Sequence, residues 1–326
     1  MSVKSIIDEI EADVADVIDT QFGYSPTFIV PSPDDPSLSY ERGKQKSGKV
    51  LSTCVLYVDI RNSVTLNDAH KPIRMAKIYT AFIKAVIKAG REHGGHTRNI
   101  IGDRVMIVFP AKDCFVNAVE CAITINHVVK YILKPEFAPV DFKCGIGVDF
   151  GELKILKVGI QRNGTEGPQN KGLVWAGYPA NVASRLTDVA NKKMSEEYYY
   201  VVRNPINPRA IQSPYVYRLQ SLGLKYDPKA PYYLTSTETV KMTESEFAKS
   251  FFSGFNGYST LHGRMISFQR KTEEFSYSPI LITDRVLNGL KKIKPAESHF
   301  WKEQQHKIKN VDCKVYGADI HWTFNK

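Results

Sequence analysis

Apolar positions recur at helical spacing near the start of the chain. Ile6, Ile10, Val14, Val17 and Ile18 share one face of residues 5 to 22, and acidic residues fill the other. This predicts an amphipathic helix, docked either on its own domain or on a partner. Residues 25 to 48 break the pattern with four prolines among Ser, Asp and Lys, a loop composition. From residue 50 the pattern turns to blocks. Val55-Leu56-Tyr57-Val58 is continuously apolar and runs into Asp59, as a strand buried on both faces does. Pro72 opens a helix reaching about His93, with Met75, Tyr79, Phe82 and Val86 as its apolar stripe and Gly94-Gly95 as its stop. HTRNIIGDRVMIVF sets a short β run on each side of Gly102-Asp103 and predicts a hairpin. A second amphipathic helix covers about Asp113 to Leu133. KCGIGVDFGELKILKVGI predicts two strands punctuated by Gly145, Gly147 and Gly151, and ANVASRLTDVANK predicts a third helix.

The order β-α-β-β-α-β-β-α predicts an α/β (α+β) sandwich with helices against one sheet. Residues 191 to 278 are less regular, rich in Tyr, Pro and Ser, with short β-like pieces such as Tyr198 to Val202. They read as an insertion. The pattern resumes at Pro279 and ends on a β-like pair around Lys314 and Trp322. The expected division is residues 1–49 as helix and linker, then 50–326 as one domain interrupted at about 191–278.

Composition places the chain among soluble globular proteins, with 43% hydrophobic and 24% charged residues. No apolar run approaches the roughly 20 residues a membrane span needs, and the acidic start lacks a signal-peptide core. A cytoplasmic protein without membrane contact is expected. Five cysteines without CxxC spacing predict reduced thiols and no zinc site. A net charge of +10 favours an anionic partner. The basic residues are spread out and not interleaved with aromatics, so a polyphosphate substrate explains the charge without nucleic acid.

Asp59 and Asp103 are the candidate chemical pair. Each alone reads as a cap or turn former. One ends a buried strand and the other sits in a hairpin tip, where a sheet presents functional groups. Two carboxylates brought together repel unless a cation lies between them. Mg²⁺ commonly takes one or two carboxylates plus substrate phosphates, so such a pair can hold two metals over a triphosphate.

Four blocks carry a resemblance. CVLYVDIRNSVT, GGHTRNIIGDRVMIVF, CGIGVDFGELKILKVG and GYPANVASRL resemble, in order, the strand-Asp-Ile-loop, the Ile-Gly-Asp hairpin, the Gly-Ile-Gly strand pair and the Asn-x-x-x-Arg helix of class III adenylate and guanylate cyclases. They cover residues 50 to 190. The resemblance implies a ferredoxin-type β-α-β-β-α-β core with extra strands. It implies that Asp59, Asp103 and the Ile60 carbonyl bind two divalent metal ions, Mn²⁺ or Mg²⁺. Arg61, Asn62 and Ser63 fall where loop amides hold the β- and γ-phosphates. Asn181 and Arg185 match the pair that orients the ribose and neutralises the α-phosphate, and their i, i+4 spacing puts both on one helix face. In a bland reading Asn181 caps the helix and Arg185 is a surface charge.

Departures from the family fall at the base and the terminal phosphate. One base-reading position holds Asn99, next to Arg98, and the other falls at Val174 or Trp175. The Lys-Gly that often grips the terminal phosphate is matched by Tyr316-Gly317, leaving Lys314 as a weak substitute. With these departures, AKIYTAFIKAVIKAGREHGGHTRNIIGDRVMIVF and LVWAGYPANVASRLTDVANK resemble the bacterial pyrimidine nucleotide cyclases of the Pycsar anti-phage systems. That implies cyclic UMP or cyclic CMP made on infection, read by a separately encoded effector. It also implies a head-to-tail homodimer with composite sites: Asp59 and Asp103 from one subunit, Asn181 and Arg185 from the other. Arg98 donates only, which suits the uracil carbonyl and favours UTP over CTP. An adenylate cyclase with unusual base contacts, or a degenerate nucleotide-binding regulator, are the competing expectations.

Overall fold

A computed structural model describes residues 2–160, 171–211, 225–250 and 262–324. It forms two compact units, Met1–Lys192 with Tyr277–Lys326, and Lys193–Ser276. In chain order the elements of the first unit begin with α1 (Val3–Asp19), β1 (Phe22–Pro26), β2 (Lys46–Ile60), α2 (Ser63–Ala69) and α3 (Pro72–Glu92). They continue with β3 (His96–Ile101), β4 (Arg104–Val108), α4 (Cys114–Val128), the short α5 (Lys134–Glu136), β5 (Cys144–Gly159), β6 (Lys171–Ala176) and α6 (Tyr178–Val189). The second unit holds β7 (Lys193–Pro205), β8 (Glu238–Thr243), α7 (Glu244–Ser250) and β9 (Gly263–Ser276). The first unit then finishes with β10 (Ile280–Thr283), α8 (Asp284–Ile293), β11 (Lys302–Glu303) and β12 (Val315–Ala318).

The described strands of the first unit make one nine-stranded sheet in the order β11-β12-β10-β5-β2-β4-β3, with β1 beside β2 and β6 beside β5. β2 and β5 form its antiparallel spine, paired from Gly48↔Leu156 to Ile60↔Cys144. The apolar run of β2 is continuous because both faces are covered. Cys54, Leu56, Val58 and Ile60 pack with Met75, Phe82 and Val86 of α3 and with α4 and α8. Leu51 and Val55 face the other way, toward Met106, Leu153, Ile155 and the Ala180 and Ala183 of α6. Helices therefore cover both faces of the sheet.

Several expectations are corrected. KCGIGVDFGELKILKVGI is one strand of 16 residues, not two. Its glycines do not break it; they let α6 lie flat on it. A Cβ at Gly147 would stand 2.3 Å from the Ala183 carbonyl oxygen, and one at Gly151 3.3 Å from Pro179. The proline-rich segment 25–48 ends in strand, because β1 pairs in parallel with Lys46 to Val50 of β2. The insertion is more regular than its composition suggests. β7, β8 and β9 form an antiparallel sheet in the order β8-β7-β9, and β9 alone has 14 residues. Its core is small: Val201 and Met242, flanked by Tyr199, Phe247 and Met265. At the C-terminus, Trp322 is in no strand; its indole N–H donates to Thr124 Oγ1 at 2.8 Å.

α1 docks by its polar face. Asp16 accepts hydrogen bonds from the Gly43 N–H at 2.7 Å and from the Lys46 ammonium at 2.8 Å, while Ile6, Ile10, Val14, Val17 and Ile18 are exposed. Cys54, Cys114, Cys121 and Cys144 are free and buried, and Cys313 is free and half-buried. No described helix is long and apolar enough to cross a membrane.

Candidate active site

Asp59 is the second-last residue of β2 and lies opposite Gly145 of β5. The β3–β4 hairpin brings Asp103 to the same sheet end, since Val105 of β4 pairs with Val58. Gly102 makes the turn with φ at +60°, a conformation that suits glycine. The Asp103 carboxyl interacts with the Asp59 carboxyl and the Ser63 hydroxyl at the start of α2. Burial and the Asp59 charge push its pKa above the usual carboxylate value. Asp103 Oδ2 is buried with no hydrogen-bond partner among the described residues. The buried Asp103 oxygen beside a second carboxylate is thus an acceptor that no described residue satisfies.

These residues fit a divalent cation. The donors are hard carboxylate oxygens, the preference of Mg²⁺ and Mn²⁺, and the Ile60 carbonyl belongs to the same strand end. No group of three or more His, Cys, Asp or Glu gathers among the described residues. Two carboxylates with a carbonyl suit an ion that completes its shell with substrate phosphate and water.

Two arginines tie this strand end to α6. Arg104, next after Asp103, donates from Nη2 to Asp59 Oδ2 at 2.8 Å and to Asp188, and from Nη1 to Ser184 Oγ at 3.0 Å. Those carboxylate bonds hold it charged against the opposing effect of burial. Arg61 is buried, and its guanidinium donates to the Thr187 carbonyl at 2.5 Å and the Asp188 carbonyl at 3.1 Å. Its backbone N–H donates to the Lys143 carbonyl at 2.8 Å. The two terminal nitrogens and the backbone N–H of Arg61 are thus engaged within the fold, while its Nε is buried and unpartnered among the described residues. Asn62 follows in the left-handed region with φ at 56°, turning the chain so that Ser63 begins α2.

Asn181 and Arg185 lie on α6 as the spacing requires. Gly177 is the N-cap, so Asn181 sits inside the helix and does not cap it. Asn181 is exposed and Arg185 half-buried. Neither side chain makes a hydrogen bond or ion pair with a described residue, so both are available to a ligand.

At the base-reading positions, the structure brings Arg98 and Trp175 together. The guanidinium carbon stands 5.9 Å from the indole centroid. A register shift in β3 between Thr97 and Asn99 re-aims Arg98, whose Nη2 reaches the Val30 carbonyl at 3.4 Å and His96 Nδ1 at 3.2 Å. Arg98 Nε is buried and unpartnered among the described residues. Asn99 is exposed on its strand. Trp175 packs inward with Leu173 and Tyr57, whereas Val174 is 42% exposed on the opposite face. Lys314 does not join the aspartates of its own chain. It precedes Val315, which pairs with Thr283 at the level of Asp149, about 13 Å along the sheet from Gly145. Its ammonium pairs with Glu303 at 3.0 Å.

Arg104, Ser184 and Asp188 escaped the sequence reading. The only local signal was a cation directly after the hairpin aspartate; the Arg104–Asp188 pair spans 84 positions of sequence.

No protein-family model matches the chain. It is similar to a uridylate cyclase of Burkholderia cepacia, 30% identical over 193 residues that cover 58% of this chain and 80% of that protein. A uridylate cyclase of Rhodovulum sp. (strain MB263) is 27% identical over 195 residues, 57% of this chain and 75% of that one. A cytidylate cyclase of Staphylococcus aureus is 28% identical over 118 residues, covering 34% and 28%. With four fifths of the Burkholderia protein matched at 30% identity, the chain belongs to the class III nucleotidyl cyclases, where it resembles the pyrimidine cyclases.

Proposed function

We propose that this enzyme converts UTP to 3′,5′-cyclic UMP and pyrophosphate, and that the product is a second messenger of anti-phage defence read by a separate effector. The observation that carries the chemistry is the Asp59–Asp103 pair with its unpartnered buried oxygen. Asp59, Asp103 and the Ile60 carbonyl would hold two divalent ions, Mn²⁺ or Mg²⁺. When bound, such ions lower the pKa of a hydroxyl and neutralise phosphate charge. The ribose 3′-hydroxyl attacks the α-phosphorus, the bond to the bridging oxygen breaks, and pyrophosphate leaves. Arg185 faces the charge that develops on the α-phosphate, and Asn181 orients the ribose. The Asn62 and Ser63 amides are directed to the β- and γ-phosphates. Two protomers in a head-to-tail homodimer supply these groups to shared sites, the aspartates from one and the α6 pair from the other.

Arg98 supports uracil over other bases. A guanidinium only donates, and the 4-carbonyl of uracil only accepts, whereas the 4-amine of cytosine would meet it donor to donor. Trp175 beside it fills space a purine would need. The likeness to a cytidylate cyclase favours CTP as the second reading. Incubating the protein with Mn²⁺ and each of ATP, GTP, CTP and UTP tests both. Cyclic UMP is expected as the main product, cyclic CMP dominance would replace UTP by CTP, and cyclic AMP dominance would overturn the pyrimidine reading.

A further inference from the structure

Arg104 stands between two carboxylates that belong to different elements. Its Nη2 reaches Asp59 Oδ2 on the end of β2 and Asp188 on α6, and its Nη1 reaches Ser184 Oγ on the same helix. Asp59 is 17% exposed, Arg104 27% and Asp188 50%, so the bridge runs from a sheltered carboxylate to an open one. Other contacts already pin the helix. Arg61 holds the Thr187 and Asp188 carbonyls, and Thr187 Oγ1 donates to the Tyr57 carbonyl at 3.0 Å. α6 therefore has anchors to the sheet besides Arg104. What Arg104 sets is how Asp59 and the helix share one positive charge.

We propose that Arg104 is a positioning residue that couples cation loading at the aspartate pair to the setting of α6. The proposal rests on the reading of Asp59 as a metal ligand. The physical chain is short. In the structure Asp59 Oδ2 already has a cationic partner, the guanidinium. A divalent ion taking the same oxygen competes with Arg104 and repels it. Arg104 then retains Asp188 and Ser184, both on α6. Ser184 is adjacent in sequence to Arg185, so the redistribution acts on the helix that presents the α-phosphate arginine. Asp188 has a defined part in this: it offers Arg104 an anionic partner away from Asp59.

Two substitutions then have opposite effects on metal and the same effect on turnover. Arg104→Gln frees Asp59 of its counter-ion, so Mn²⁺ binds more tightly. Asp188→Asn leaves Asp59 as the sole carboxylate for Arg104, so Mn²⁺ binds more weakly. Either shift is expected to be about three- to tenfold, the scale of one partly exposed ion pair. Both variants lower kcat by about tenfold, because α6 loses its charged anchor, with KM for UTP within about threefold. Arg104→Lys keeps the charge but not the fork, and restores part of the kcat.

Mn²⁺ affinity without nucleotide, read from the EPR signal of the free ion, tests this on wild type and variants, with Asp59→Ala as reference. Circular dichroism and urea midpoints check folding, and the near-isosteric Asp188→Asn decides alone should Arg104→Gln not fold. Opposite shifts establish the coupling. Shifts in one direction, or none, while Asp59→Ala abolishes binding, overturn it. Undiminished Mn²⁺ binding by Asp59→Ala instead removes the metal-ligand reading beneath it.

Discussion

Arg61 shows how a residue can hold a motif position and serve the fold. Its neighbour Asp59 is presented at the strand end, but its own side chain turns into the protein, 5% exposed, under the last turn of α6. There it meets carbonyls that a helix C-terminus leaves without internal partners. Arg61→Ala is expected to cost about 1.5–3 kcal/mol of stability, the range for a hydrogen bond to a charged group, measured as a lower urea midpoint. A stability loss under about 0.5 kcal/mol would return Arg61 to the substrate. At this scale the sequence was legible wherever local context fixes a residue. Asp59 ends an apolar run and Asp103 follows a turn glycine, so both could be located. The partners of Arg61, Thr187 and Asp188, lie more than a hundred positions away, and no local pattern encodes such a pairing.

At the scale of elements, the stripe of small residues along β5 decides where α6 can lie. Gly147→Ala would place a Cβ 2.6 Å from the Thr187 amide nitrogen as well as against Ala183. The helix must lift, at an overpacking cost of about 1–3 kcal/mol. Because α6 carries Asn181 and Arg185, kcat should fall more than KM rises; an unchanged kcat would mean that the helix position does not set the chemistry. α3 and α6 were readable from periodicity, since each buries one regular face, and the β3–β4 hairpin from the apolar runs on either side of Gly102-Asp103. β5 was misread because glycine punctuates an exposed turn and a close helix contact with the same letter. β9 was missed because it is exposed along most of its length and its second half is charged, with Arg270, Lys271, Glu273 and Glu274 nearly in succession. Such a ribbon is held by its ladder with β7 more than by burial.

For the whole molecule, the composite arrangement has a direct test. Asp59→Ala and Arg185→Ala proteins, each inactive alone, are expected to regain about a quarter of wild-type activity when mixed. Half of a random mixture is heterodimer, and each heterodimer holds one intact site of two. Absence of rescue in a verified heterodimer would place all four groups in one protomer. Fold class and reaction were legible at this scale because four short blocks occur in fixed order. The outward-facing apolar stripe of α1 was not, since amphipathicity tells that a helix has two faces and not which one meets the protein.

The second unit leaves the first between Lys192 and Tyr277, and the chain is pinched at that crossing. The Tyr277 N–H donates to the Lys192 carbonyl at 3.2 Å, and the Asn191 N–H donates to the Ser278 carbonyl at 3.1 Å. Exit and return are therefore already neighbours in the backbone of the first unit. In polymer terms the loop is tied at its base, so its length adds only slowly to the entropy of closing it. The catalytic sheet is thus indifferent to how much chain hangs from that point, which makes this crossing a natural place for the enzyme to gain, lose or exchange a module without re-registering a single catalytic strand.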